Sequence, residues 1–230
     1  MKGSLEKIWQ ERFSRFAERY NEDYLIAGWS QRGLNERLKK YIEIIQALNL
    51  SKNIKILDAG CGPATYCRAL KELGYQNIIG VDYSWSVLKK AKEKNYGIEY
   101  INADIYYLPF KQNLFDHVIC IGVLQSITNE ESLISELKRV LKPGGILLIA
   151  ILNEDEIYYK IKKRKKTFLS EVRRYSIANF KRKLEQHFKI LKIEYIVILP
   201  NIIKWFPRFF LKNRWFAHSV FYLCSKEDAS

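Results

Sequence analysis

The chain has 230 residues, and its 39 Lys and Arg against 25 Asp and Glu give a net charge of +14. That length suits one substantial hydrophobic core. No run of ~18 apolar residues marks a membrane-spanning helix, and Met1 to Tyr20 lacks the apolar centre of a signal peptide. Cys61, Cys67, Cys120 and Cys224 form no C-x-x-C pair. Reduced thiols in a cytoplasmic protein are therefore expected, and no metal site.

The charge is local. Between Lys160 and Arg214, 17 Lys and Arg face 3 acids, a net +14, so the rest of the chain is neutral. A concentrated surplus points to an anionic partner: nucleic acid, acidic lipid headgroups or a phosphorylated substrate.

At the start, Leu5, Ile8, Trp9, Phe13, Phe16 and Tyr20 recur at helical spacing. After a break bracketed by Gly28 and Gly33, Leu34 to Leu48 reads as a second amphipathic helix. An apolar strand, Ile54 to Leu57, then ends in Asp58, and Gly60 and Gly62 precede a helix from about Ala64 to Leu73. Strand, glycine turn and helix together make a nucleotide-like site: the glycines admit a ligand to the backbone, and the helix N-H groups face it. The dinucleotide fingerprint fails, because its third glycine would fall at Thr65, and a Walker A Gly-Lys-Ser/Thr is absent. The acid that opens the loop would repel a pyrophosphate and suits a cationic ligand.

Strands follow at Asn77 to Val81, Ile98 to Ile101 and Phe115 to Ile121, with a helix from Ser84 to Lys94 between the first two. Phe115 to Ile121 alternates little, as a strand buried on both faces should. A helix over Glu130 to Leu141, capped by Asn129 or Thr128, leads through the turn Lys142-Pro143-Gly144-Gly145 to a strand, Ile146 to Ile151. Helices are expected at Asn153 to Leu169 and Ile177 to His187, and strands at Phe188 to Ile198 and Ala217 to Cys224.

Five segments in order, ILDAGCGPA, IIGVDYS, INADIYYLPF, FDHVICIGVLQSI and LKRVLKPGGILLIAI, resemble the class I S-adenosylmethionine-dependent methyltransferases, in particular the type 11 domain with a UbiE-like core. The resemblance covers about Lys52 to Leu152. It implies a Rossmann-like, doubly wound α/β fold: a seven-stranded, mostly parallel sheet with an antiparallel last strand and N-terminal capping helices. One domain over 1–230 is expected, with a helical cap at 1–50, a cofactor core at 51–152 and a basic C-terminal part at 153–230. S-adenosyl-L-methionine would be the cofactor and S-adenosyl-L-homocysteine its product. Asp58, Gly60, Cys61 and Gly62 would hold the methionine portion. Asp82 would accept from the ribose hydroxyls, since a carboxylate offers two acceptors to a diol. Tyr83 would pack on the adenine, Asp104 accept from its amino group, Ile105 cover its face, and Ile121 lie at the cofactor end of its strand.

Relatives often carry a histidine pair after the fourth strand; this chain has Leu124-Gln125-Ser126. The general base is therefore unassigned, with His218, Tyr20 and Tyr24 as candidates. His117 lies at the wrong end of its strand and reads as structural. In this topology Leu199 to Phe216, rich in aromatics and interleaved with Lys204, Arg208, Lys212 and Arg214, would sit above the active site. It reads as a lid, as a peripheral contact with acidic membrane, or as an RNA surface. A small-molecule or lipid-like acceptor is the first expectation. A wobble-uridine-type tRNA methyltransferase, loosely suggested by Arg173-Arg174-Tyr175, and a non-catalytic cofactor-binding partner are the alternatives.

Overall fold

A computed structural model describes residues 5–162, 172–198 and 213–227. Its strands are β1 (Lys55–Ala59), β2 (Asn77–Asp82), β3 (Glu99–Asn102), β4 (Phe115–Cys120), β5 (Leu141–Leu152), β6 (Lys189–Val197) and β7 (Ala217–Ser225). They form one seven-stranded sheet in the order β3-β2-β1-β4-β5-β7-β6. All pairings are parallel except those of β7, which runs antiparallel to both β5 and β6. The expected topology is present.

Period-two alternation splits each central strand between two cores. Leu57 and Val118 face the cluster that holds Leu133 and Leu137 of α6 (Glu130–Val140) and Phe180 and Leu184 of α8 (Ile177–Glu185). Ile56 and Ile119 face the cluster of Tyr41 and Ile45 from α3 (Gln31–Leu48), Leu70 from α4 (Thr65–Glu72) and Leu88 from α5 (Trp85–Glu93). With helices on both faces the strands must be apolar throughout, which is why they alternate so little. The N-terminal α1 (Leu5–Arg19) and α2 (Asp23–Ile26) join the body through a third cluster, Ala17, Ile26 and Val87 with Phe13 and Tyr20 packed on it.

Three local expectations change. Gly33 does not break the chain but lies inside α3. Ser30 caps that helix by accepting the Gly33 N-H at 3.0 Å, and a Cβ at Gly33 would stand only 2.9 Å from the Ser30 hydroxyl. The helix expected from Asn153 begins instead at Ile157, as α7 (Ile157–Lys162). Asn153 is fully buried; its side-chain amide donates to the carbonyls of Arg214 and Ala217, and its Oδ1 accepts the Asp155 N-H. The rest of that helix, 163–169, and most of the aromatic insertion, 199–212, lie outside the described residues.

The Lys142-Pro143-Gly144-Gly145 segment is a bulge within β5 rather than a turn before it. Two residues of β4, Phe115 and His117, pair with Leu141 and Ile146, five positions apart. Gly144 supplies the positive φ of 69°, and the backbone of Lys226 clamps the bulge by bonding both glycines. A Cβ at Gly145 would lie 2.8 Å from the Lys142 carbonyl oxygen, which is backbone and cannot swing away. Gly145→Ala is therefore expected to destabilise the fold by about 1–3 kcal/mol. Cofactor affinity should be unchanged at 25 °C, because residue 145 lies at the opposite end of β5 from the ligand face. Denaturant unfolding and calorimetry check the two halves of that expectation.

Candidate cofactor and acceptor site

The chain reverses direction across the sheet between β1 and β4, and the carboxyl ends of the strands there open a crevice where ligands of such folds bind. The loop after β1 is shaped by left-handed backbone at Gly60 (φ 78°), Gly62 (φ 53°) and Ala64 (φ 63°). Its N-H groups turn onto β2: Gly60 and Cys61 both donate to the Val81 carbonyl, at 2.8 and 2.9 Å. Gly62 donates to Asp82 Oδ2 at 2.9 Å, while Ser84 N-H holds the other carboxylate oxygen at 2.9 Å. The two glycines have different reasons to be glycine. A Cβ on Gly60 would collide with Val123 Cγ2 at 2.2 Å; one on Gly62 would meet no atom within 4 Å. Ala64, at the third position, holds a backbone conformation that only glycine adopts without cost.

Beside this loop is a cavity of about 560 Å³, within the range of small-molecule sites. Gly60, Cys61, Gly62, Asp82, Tyr83, Asp104, Ile105 and Ile121 all line it. Of the expected cofactor residues only Asp58 is not in its wall. Asp58 lies beneath the loop, 1% exposed, with Oδ2 accepting from the Cys67 thiol at 3.1 Å and Oδ1 buried without a partner among the described residues. Burial, with the neighbouring Asp82 charge adding to it against the Cys67 bond, pushes the Asp58 carboxyl up to about 7. Burial also raises Asp82, to about 6, although the N-H groups of Ser84 and Gly62 hold it down. Asp104 stands at the end of β3, Oδ1 accepting the Tyr106 N-H at 2.9 Å. Two of the three carboxylates thus open onto the crevice and the third supports its floor.

Helix α1 crosses the cavity. Its Gln10 donates to the Tyr83 carbonyl at 3.2 Å, and its Ser14 hydroxyl meets that of Ser84 at 3.1 Å. Glu6 accepts the Thr128 N-H at 2.9 Å, the Thr128 hydroxyl and the Tyr106 hydroxyl. Burial works to raise the Glu6 carboxyl, but these bonds outweigh it and hold it below its ordinary value. Asp23 ties α2 down to Arg68, Lys94 and the Thr65 hydroxyl. The wall also holds the apolar side chains Phe13, Ile26, Trp29, Leu34, Val123 and Ile127, of which Phe13 and Ile26 pack against Val87 of α5. These residues, with Gln10 and Ser126, carried no local signal in the sequence. Each looks like core, and only the packing of α1 to α3 over the β4 end brings them together.

The structure places none of the three base candidates in the cavity wall. Tyr20 packs in the α1–α2–α5 cluster, edge to face with Phe16. Tyr24 is half-buried in α2 and does not line the cavity. His218 is next to Arg37, whose Nη2 lies 3.2 Å from Nδ1. A guanidinium can only donate, so Nδ1 is the acceptor and the neutral ring carries its proton on Nε2. Burial and the Arg37 charge hold His218 well below its usual range, and no lone pair is left for a substrate proton. His117 is fully buried in β4, Nδ1 near the Ile146 carbonyl at 2.9 Å, and burial lowers it to about 4. Its structural reading agrees with that placement. Gln125, in the segment where the resemblance implies a histidine pair, is also buried and donates to the Gly122 carbonyl at 2.5 Å.

A family profile described as Methyltransferase domain matches residues 57–149. An uncharacterized protein of Methanocaldococcus jannaschii is 32% identical over 171 residues, 74% of this chain and 70% of that protein. The demethylmenaquinone methyltransferase of Staphylococcus saprophyticus is 34% identical over 110 residues, 46% of this chain and 47% of the relative. The chain thus spans under half the length of that named relative. A solved S-adenosylmethionine-dependent methyltransferase of Thermotoga maritima matches with a TM-score of 0.68 at 18% identity, covering 95% of this chain and 99% of its own, which establishes the fold. Profile, relatives and sheet order agree: the chain belongs to the class I S-adenosylmethionine-dependent methyltransferases.

Proposed function

We propose that this methyltransferase acts on a small, largely apolar acceptor, lipid-like or ring-bearing, held between α1, Trp29 and the end of β4. The observation that carries this is the apolar share of the cavity wall, Phe13, Ile26, Trp29, Leu34, Val123 and Ile127, in the same cavity as Asp82, Asp104, Gly60 and Gly62. The relative named for demethylmenaquinone is in keeping with it. Asp82 would take the ribose diol on the carboxylate lone pairs that Gly62 and Ser84 leave free, Asp104 the adenine amino group, and Tyr83 and Ile105 the two ring faces. Cys61, Gly62 and Ile121 would border the methionine portion. The residues fit a ligand with cationic groups: the unpartnered Asp58 Oδ1 lies under the loop, and Gly62 leaves open space where any side chain would intrude.

Bound S-adenosylmethionine supplies an electrophilic methyl on a sulfonium. The protein's part is alignment and the exclusion of water. Helix α1, fastened through Glu6, Gln10 and Ser14, would close the cavity over the reacting atoms. No histidine lines the cavity among the described residues, so proton removal would not run through an imidazole.

The tRNA alternative gains nothing from Arg173-Arg174-Tyr175. Arg173 donates to the carbonyls of Ile127 and Thr128 and pairs with Glu130; Arg174 pairs with buried Glu156; the Tyr175 hydroxyl donates to the Leu124 carbonyl. These groups brace the segment after β4 and are not free for phosphate. Peripheral membrane contact through 199–216 and a cytoplasmic location rest on sequence pattern. Among the described residues no helix is long and apolar enough to cross a membrane.

Transfer of radiolabelled methyl from the cofactor into a fractionated cell extract tests the acceptor class. Label is expected in the organic-soluble fraction; label in RNA alone would overturn the reading, and no incorporation would favour the non-catalytic alternative. Asp82→Ala is expected to weaken S-adenosylmethionine binding about 100-fold, two charge-assisted hydrogen bonds at about 1.5 kcal/mol each, measured by calorimetry. Gly60→Ala and Gly62→Ala should separate. The first clashes with Val123 and loses both stability and affinity, while the second keeps most of its stability and loses affinity.

The pH dependence has a definite sign. Asp82 and Asp58 hold protons more tightly folded, at about 6 and about 7, than unfolded, near 3.8. The stability this gives the ligand-free protein is complete below about pH 3.8 and is lost as pH rises through 6 and 7. A cationic ligand prefers the ionised pair, so its affinity should rise over that same window, with protons released on binding. Calorimetry in two buffers of different ionisation enthalpy reads the proton count.

A further inference from the structure

Beyond the expected cofactor residues, the strongest unassigned feature is a buried cation behind Trp29, a residue of the cavity wall. Arg37 of α3 is 2% exposed. Its Nε and Nη2 donate to the Ser219 hydroxyl at 3.1 and 2.8 Å, its Nη1 donates to the Gly33 carbonyl at 2.7 Å, and Nη2 also reaches His218. All of these partners are neutral. The guanidinium carbon lies 3.9 Å from the centre of the Trp29 ring, and Trp29 lines the cavity. Tyr66, another lining residue, also feels the Arg37 charge.

Burying a guanidinium without a carboxylate is costly, and none pairs with it among the described residues. The charged groups that face it are Glu156 and Arg174, and these form an ion pair with each other at 2.9 Å, both almost fully buried. His218 is neutral, as its geometry requires. The cluster therefore carries one net positive charge. Along the sheet the carboxylates Asp82 and Asp104 stand at the ends of β2 and β3, while Arg37 is held by Ser219 of β7, beyond β4 and β5. The two carboxylates thus stand where a sulfonium-bearing nucleoside would lie and Arg37 stands past the end of β4, while Glu6 and Lys7 of α1 add one charge of each sign to the cavity wall.

We propose that Arg37, acting through Trp29, is the element that selects the methyl acceptor by charge, and that the acceptor is an acidic hydroxyl compound, a phenol, enol or carboxylic acid, bound as its anion. The inference rests on the methyl-transfer reading and deepens it. The acceptor loses its proton to bulk water on entering the positive end of the crevice. Its electron pair then forms the bond to the methyl carbon as the carbon–sulfur bond breaks and that pair returns to sulfur. No protein base is required, which accounts for a cavity wall without histidine. Arg37 is a positioning residue here, since it touches neither substrate.

The test uses the intact protein saturated with S-adenosylhomocysteine, and 4-nitrophenol as an optical probe. Failure to bind S-adenosylhomocysteine would overturn the methyl-transfer reading itself. With that ligand bound, the probe's apparent pKa is expected to fall by about one pH unit, a tenfold change in ionisation. Arg37→Met should abolish the fall while leaving S-adenosylhomocysteine affinity in place, and Arg37→Lys should restore part of it. A probe pKa unchanged or raised on binding, or a fall that persists in Arg37→Met, overturns the proposal. Should Arg37→Met not fold, the wild-type protein decides: benzoate is expected to bind at least tenfold more tightly than the isosteric neutral benzamide. Equal affinities, or no binding of 4-nitrophenol and benzoate alike, overturn it.

Discussion

One carboxylate with two backbone donors organises this molecule. Asp82 ends β2, and its two oxygens receive N-H groups from Gly62 on the loop after β1 and from Ser84 at the start of α5. That arrangement exists only because Gly60 and Gly62 take positive φ and let the loop turn back over the end of β2, bringing the N-H groups of Gly60 and Cys61 onto Val81. The loop, the strand end and the helix start are therefore one bonded unit. A carboxylate held this way keeps lone pairs directed at the crevice while its own position is fixed. Burial works against its charge, and the two N-H groups answer only part of that. A ligand bringing hydroxyl donors and positive charge would complete what the fold leaves partly satisfied.

The same logic explains the division of the crevice. Asp82 and Asp104 stand where β2 and β3 end, beside the loop after β1, and α1 adds Glu6, Lys7 and Gln10 to the same wall. Past β4 the floor is Ile121, Gly122 and Val123, and the roof comes from α1 and the segment before α3. Gly122, whose φ of 82° favours glycine, lies against Trp29: a Cβ there would be in ordinary contact with the indole at 3.7 Å. The indole in turn covers Arg37. Thus the apolar wall is thin, and a full positive charge stands behind it. Under the proposal above, such a wall would admit a hydrophobic ring and still distinguish an anion from a neutral molecule.

Much of this was legible in the sequence, for a physical reason. The residues expected to hold the cofactor lie at strand ends or within a few positions of them: Asp58-x-Gly60-x-Gly62, Asp82-Tyr83, Asp104-Ile105. Local order in the chain there equals local order in space, so a run of short motifs maps onto one crevice. Asp58 shows the limit of that mapping. Its position at the end of an apolar strand is plain from the chain, but only packing decides that its side chain turns under the loop toward Cys67. The KPGG segment was read as a turn because glycine and proline mark turns; that it is a bulge depends on pairing with β4 and on Lys226, neither of which is local.

The apolar part of the cavity wall was illegible because its residues carry no chemistry of their own. Phe13, Trp29, Leu34 and Val123 are apolar side chains at ordinary helical or strand-end spacing, and nothing in that spacing separates cavity wall from core. Histidine and tyrosine drew attention as bases, but their environments decide otherwise: Arg37 fills the acceptor site of the His218 ring, and Tyr20 sits in a cluster of apolar side chains. Arg37 itself reads in the sequence as one more solvent-facing base on an amphipathic helix. Its burial follows from Gly33 one turn earlier, which supplies both a carbonyl acceptor and the space a side chain would have taken: a Cβ there would stand 3.1 Å from Nη1. A glycine that looked like a helix boundary is thus what allows a charge to be placed inside, and the electrostatic character of the acceptor end depends on that one missing side chain.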